Sequence, residues 1–226
     1  MINAVKLKPA RIPEKTQLYE IGYSCHILVE ERQSDSTLDQ VVMEYRVEPG
    51  DIGYFGKEYR PSDVEKTGAK VIDITAAMLN HEKKCIRWHL YDIKDTLAGE
   101  NTIVKLYSQW NSSLHYLERS ILTHLPEYSI TPDLGVITRS YSKERMERLR
   151  DDFQRKCDEM VKDQNGMTLS QRKKRINIAK YRGVLTAAQA ILDRKFRTEQ
   201  GIDTYEIHIR QLLCENNQVF KMRFPV

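Results

Sequence analysis

Cysteine, proline and glycine are all scarce, and each shortage narrows the choice. Only four cysteines occur in 226 residues: Cys25, Cys85, Cys157 and Cys214. They stand far apart and make no C-x-x-C pair, so neither a disulfide scaffold nor a thiolate zinc module is indicated. Reduced thiols in a cytoplasmic setting are expected. Seven prolines and ten glycines are too few for a linker-rich or low-complexity chain. No apolar run approaches the ~20 residues of a membrane span, and residues 1–13 lack the apolar stretch of a secretion signal.

What is present is charge. Charged residues make up 30% and hydrophobic residues 40% of the chain, a globular and helix-leaning mixture. The net charge of +4 is modest, but it is unevenly placed. Between Thr168 and Thr198 there are nine basic residues and one acidic residue, Asp193. The segment therefore carries +8 against −4 for the rest of the chain. Residues 143–163 instead hold seven basic and seven acidic side chains, with opposite signs recurring at helical spacing, as on a solvated, ion-paired face.

Residues 1–17 carry Lys6, Lys8, Arg11 and Lys15 between Pro9 and Pro13 and read as an extended basic arm. From residue 18 the hydrophobic period is two: Tyr19, Ile21, Tyr23, Cys25 and Ile27, then Val41, Met43, Tyr45 and Val47. This predicts an antiparallel strand pair. For residues 71–93 a short strand at 71–74 followed by a helix is expected, although Ile86, Trp88 and Leu90 also alternate. Asn101 is the expected N-cap of an amphipathic helix through Ile103, Leu106, Trp110, Leu114 and Leu117, stopped by Pro126. A short strand is placed near Val136. Residues 142–200 predict an antiparallel helical hairpin, turned at Asn165-Gly166 and restarted by a Thr168/Gln171 capping box. A closing strand is expected around 218–224.

The expected fold is α+β: a small N-terminal antiparallel sheet followed by long amphipathic helices. Its divisions are the arm 1–17, an α+β domain 18–100 and a mainly helical domain 101–226.

No catalytic motif emerges. His81, Cys85 and His89 lie at i, i+4 and i+8; on a helix the outer two are ~12 Å apart at 1.5 Å per residue and cannot share an ion. Cys25 and His26 point to opposite faces of a strand. The glycines of Gly50-Asp51-Ile52-Gly53-Tyr54-Phe55-Gly56-Lys57 fit no phosphate-loop spacing. Asp63, Glu65, Asp73, Asp92 and Asp95 read as scattered carboxylates that nothing brings together. No metal or cofactor is expected.

The function expected is therefore non-catalytic: a self-associating or docking protein, for example an accessory or scaffolding component of a phage-like assembly. Its basic helix 168–198 would meet an acidic partner surface through Arg172, Lys173, Lys174, Arg175, Lys180 and Arg182, with Tyr54, Phe55 and Tyr59 as an aromatic contact. The alternative is a regulatory or replicative nucleic-acid-binding protein that uses the same helix and the arm on phosphates.

Overall fold

The computed structural model describes residues 8–9, 19–21, 24–30, 40–47, 51–57, 71–124, 127–162, 171–198, 203–211 and 220–223. The strands are β1 (Lys8–Pro9), β2 (Tyr19–Ile21), β3 (Ser24–Glu30), β4 (Gln40–Arg46), β5 (Asp51–Lys57), β6 (Ile74–Asn80), β7 (Cys85–Thr96), β8 (Ser129–Ser140), β9 (Lys195–Arg197), β10 (Thr204–Gln211) and β11 (Phe220–Arg223). The helices are α1 (Glu100–His124), α2 (Lys143–Lys162) and α3 (Gln171–Asp193).

The centre is a mixed sheet of eight strands in the order β1-β2-β5-β6-β7-β8-β10-β9. Its body is the six strands from β5 to β9. This corrects the expected fold class: the protein is a mixed α/β structure around a large sheet, not a small N-terminal sheet followed by helices. The physical cause lies in β6 and β7. Ile74 to Leu79 are all buried, so both faces of β6 are covered and the apolar run shows no alternation. Such a run cannot be told from a helix by periodicity.

The chain reverses between β6 and β7 in a turn that closes on the pair Asn80↔Cys85. Asn80 Oδ1 accepts the Lys83 amide at 2.7 Å, and Lys84 takes a left-handed conformation with φ 48°. The helix expected after residue 74 does not form; those residues pair antiparallel from Ile74↔Tyr91 onward.

From β7 the chain crosses through α1 to β8, which lies parallel to β7 from Cys85↔Ser129 to Thr96↔Ser140. α1 begins at Glu100, one residue before the expected cap Asn101, with Ile103 N–H donating to Gly99 O at 3.1 Å. The short strand expected near Val136 is twelve residues long. Pro132 hid it, yet Pro132 precedes Leu134, where pairing with β10 starts. A proline is tolerated where no ladder partner lies on one side.

Ser142 caps α2: its Oγ accepts the Arg145 amide at 3.2 Å. α2 and α3 pack together, with the Phe153 and Tyr181 rings edge to face at 5.4 Å; the turn at 165–166 and the capping box at 168 lie outside the described residues. α3 stops at Asp193, short of the expected residue 200. Arg194 adopts φ 56° and the chain enters β9, antiparallel to β10. The second sheet is β11-β4-β3. It contains the expected antiparallel pair (Ser24↔Arg46 to Glu30↔Gln40) and the closing strand, parallel to β4.

The largest core joins one face of the sheet (Leu79, Trp88, Leu90, Leu134, Val136) to α1 (Ile103, Leu106, Trp110), α2 (Met146, Phe153) and α3 (Val184, Ala187, Ala188, Ile191). Trp110 is fully buried and its Nε1 donates to Gly135 O at 3.3 Å. No described helix is long and apolar enough to cross a membrane.

Candidate functional site

Asp73 immediately precedes the first β6–β7 pair, Ile74↔Tyr91, and its carboxylate faces that of Asp92. Alternation along β7 puts Asp92 and Lys94 on the same face as Trp88 and Leu90. Three charged side chains thus meet where the sheet passes from its apolar middle to its end.

Asp92 is fully buried. Lys94 Nζ lies 2.5 Å from Asp92 Oδ2 and 3.9 Å from Asp73 Oδ2, and it donates to Ile93 O at 3.1 Å. Asp73 Oδ2 also accepts the Ile93 amide at 2.9 Å. Both oxygens of Asp92 are sealed from water, and the polar groups that face them are Lys94 and Asp73. Burial, and then the neighbouring Asp73 carboxylate, hold the Asp92 carboxyl well above the usual carboxylate range; Lys94 opposes this and does not win.

α1 braces the approach to Asp73. Gln109 Nε2 donates to Val71 O at 2.7 Å, and the Ile72 amide donates to Ser113 Oγ at 3.2 Å. Both contacts are buried and join segments about forty residues apart. Replacing Gln109 with Leu leaves the Val71 carbonyl unpaired. The expected loss is about 1–3 kcal/mol, read as a lower urea midpoint at an unchanged m-value; an unshifted midpoint shows that the brace contributes nothing.

The opposite face carries a second polar group. Asp133 on β8 contacts His89 Nδ1 at 2.8 Å, His208 Nε2 at 3.2 Å and the Tyr91 hydroxyl at 3.1 Å. Burial, and then Asp133, push the Tyr91 hydroxyl far up from its ordinary value. One carboxylate thus ties β7, β8 and β10 together through two histidines and a tyrosine.

The residues singled out in the sequence fall elsewhere. His81 lies in the β6–β7 turn against the Tyr128 hydroxyl, and Cys85 opens β7, so the helical spacing of His81, Cys85 and His89 does not exist. Among the described residues no three His, Cys, Asp or Glu side chains converge as a metal set. Tyr54 is 9% exposed and belongs to the core, not to a surface contact. Phe55 pairs with Ala76 in β5, its side chain outside the described residues, as is all of Tyr59.

On α3, Arg175, Lys180 and Arg182 are exposed, while the side chains of Arg172, Lys173 and Lys174 lie outside the described residues. Lys180 pairs with Glu100 of α1 at 3.1 Å. Arg175 and Arg182 make no ion pair with a described carboxylate.

Sequence reasoning missed Asp73, Asp92 and Lys94. A signal was present: Ile86, Trp88, Leu90, Asp92 and Lys94 continue one alternation, and on a strand that alternation puts a carboxylate and an ammonium side by side. Compared with known proteins, the chain matches no family model, no curated protein and no solved structure.

Proposed function

We propose that this protein is a divalent-metal-dependent phosphodiesterase acting on nucleic acid, with Asp73, Asp92 and Lys94 as its catalytic residues. The observation that carries this reading is Asp92: a carboxyl group sealed from water that faces a second carboxylate, Asp73, with Lys94 beside it. With Asp92 ionised, two carboxylates and one ammonium would leave a net negative charge in a desolvated place, and the upward shift of the Asp92 carboxyl reflects that cost. A hard cation with oxygen ligands offsets that cost.

The donors fit Mg²⁺ or Mn²⁺, which take one or two carboxylates and complete their shell with water and substrate phosphate. Asp73 and Asp92 would hold the ion. Bound there, such an ion polarises a phosphoryl oxygen and lowers the pKa of water.

The chain's own contribution is positional. The Ile93 amide and the α1 brace orient Asp73. The β7 ladder holds Asp92. Lys94, fixed between Asp92 and the Ile93 carbonyl, offers an ammonium for the charge that develops on a phosphoryl oxygen. The positive charge of α3 supports a polyanionic substrate over a small neutral one.

The test is incubation of linear and circular DNA, and of RNA, with Mg²⁺ or Mn²⁺ and with chelator. Scission that requires the metal is expected. No scission of any of these substrates with either metal overturns the reading.

A docking or self-associating role rests on one separate observation: Ile176, beside Arg175 on α3, is 59% exposed. Molar mass that rises with concentration, and stops rising in Ile176→Glu, would favour it. A cytoplasmic location accompanies either reading, supported by the free thiols of Cys85 and Cys157.

A further inference from the structure

A cavity of about 400 Å³ opens between α1 and α3, lined by polar side chains and two valines. Its lining is Asn101, Val104, Lys105, Ser108 and Ser112 on α1 with Lys180 and Val184 on α3. Among the described residues no carboxylate lines it. The polar α1 residues stand at i, i+4, i+7 and i+11, so they form one row along the helix. That row is ~16 Å long at 1.5 Å per residue, the length of several nucleotides at ~3.4 Å each.

Lys105 makes no ion pair with a described carboxylate, whereas Lys180 is held at the rim by Glu100, 3.1 Å away. The row also adjoins the α1 side chains that brace the segment leading to Asp73. Ser108 and Ser112 each precede a brace residue, Gln109 and Ser113, which fix Val71 and Ile72 just before Asp73. Successive residues of a helix are ~100° apart at 3.6 per turn. The cavity therefore lies on the flank of α1 next to the face that braces Val71 and Ile72.

We infer that this cavity is the track for the phosphodiester backbone of the substrate strand, with Lys105 and Lys180 as its cations and the Asn101, Ser108 and Ser112 side chains as hydrogen-bond donors to phosphate oxygens. The inference rests on the proposed nucleic-acid phosphodiesterase reading. Hydroxyls and amides that donate to phosphates position a strand without reading its sequence, so binding here is independent of base sequence. The Lys180–Glu100 pair sets the rim: a phosphate entering the groove competes with Glu100 for the Lys180 ammonium.

The experiment uses the full chain carrying Asp92→Asn, to prevent cleavage, and a fluorescein-labelled mixed-sequence oligonucleotide, single-stranded or duplex. Affinity is followed by anisotropy across a salt series. Adding Lys105→Glu with Ser108→Glu is expected to raise Kd at least ~10-fold and to flatten the log–log salt slope by about one, as expected for one lost phosphate contact. Melting temperature should stay unchanged, since both sites are on the helix surface.

In the cleaving protein the same pair should raise KM and spare kcat at saturation. An unchanged Kd and slope, while the unmutated protein still cleaves, overturns the groove and leaves the phosphodiesterase reading intact. No oligonucleotide binding together with no cleavage overturns both. Capture of poly-glutamate in preference to the oligonucleotide overturns the groove's assignment to phosphate.

Discussion

Asp92→Asn is expected to abolish metal-dependent cleavage, by on the order of 10³-fold or more, and at the same time to raise the melting temperature at pH 7 without metal. The two effects share one cause. In the wild type a sealed carboxylate faces Asp73 and the single ammonium of Lys94. Its folded-state pKa is raised, by burial first and Asp73 second, so the folded protein holds that proton more tightly than the unfolded chain.

The stability linked to that proton is complete below the ordinary carboxylate pKa of about 3.9. It is lost as pH rises toward the folded-state value. Asparagine carries no proton to lose, and its amide can donate to Asp73. The melting difference between variant and wild type should therefore open from about pH 4 upward, recorded by thermal melts from pH 4 to 8. Mg²⁺ or Mn²⁺ should raise the melting temperature of the wild type and leave Asp92→Asn unmoved, because only a ligand that binds the folded state stabilises it. A variant that cleaves like the wild type, or that melts lower throughout this range, refutes the assignment.

Gly135→Ala should be among the most destabilising single changes. A Cβ at residue 135 would stand 2.1 Å from Tyr91 Cε1 and 2.4 Å from Cδ1. The ring has nowhere to go: Tyr91 is fully buried and its hydroxyl is tied to Asp133. On the other side Trp110 holds the Gly135 carbonyl. Overpacking against an immobile ring costs about 3 kcal/mol or more, roughly a 10 °C fall in melting temperature for a domain of this size. Tyr91→Leu in the same chain opens the space, so the double variant should lose less than the sum of the single changes. A fall under about 2 °C would mean that the strands can part to admit a methyl group, which close packing argues against.

The parts of the fold that were legible in the sequence show a clear hydrophobic period. β3 and β4 alternate over a strand pair, and α1 shows its apolar stripe from Ile103 to Leu114 because its other side meets solvent. β6 is illegible for the opposite reason. With Ile74 to Leu79 buried throughout, the period disappears and a helix fits the pattern equally well. That single misreading concealed the site as well. On a helix, Asp92 and Lys94 would diverge by about 200° at 3.6 residues per turn and Asp73 would lie far off. On a hairpin the first two share a face and the third faces them. Tyr54 fails differently: its neighbours Gly53 and Lys57 suggest an exposed loop, but pairing to Ala77 draws it into the core.

By itself the sequence determined the local matters: where α1, α2 and α3 run, that β3 and β4 pair, and that +8 of charge gathers near α3. These follow from spacing along the chain, where each residue's partners are a few positions away. Only the tertiary structure decided that β5 to β10 form one sheet, that Asp73 meets Asp92 and Lys94, and that α1 and α3 enclose a groove. These are contacts between residues distant in sequence, set by strand register and by which faces are covered; no local period encodes them.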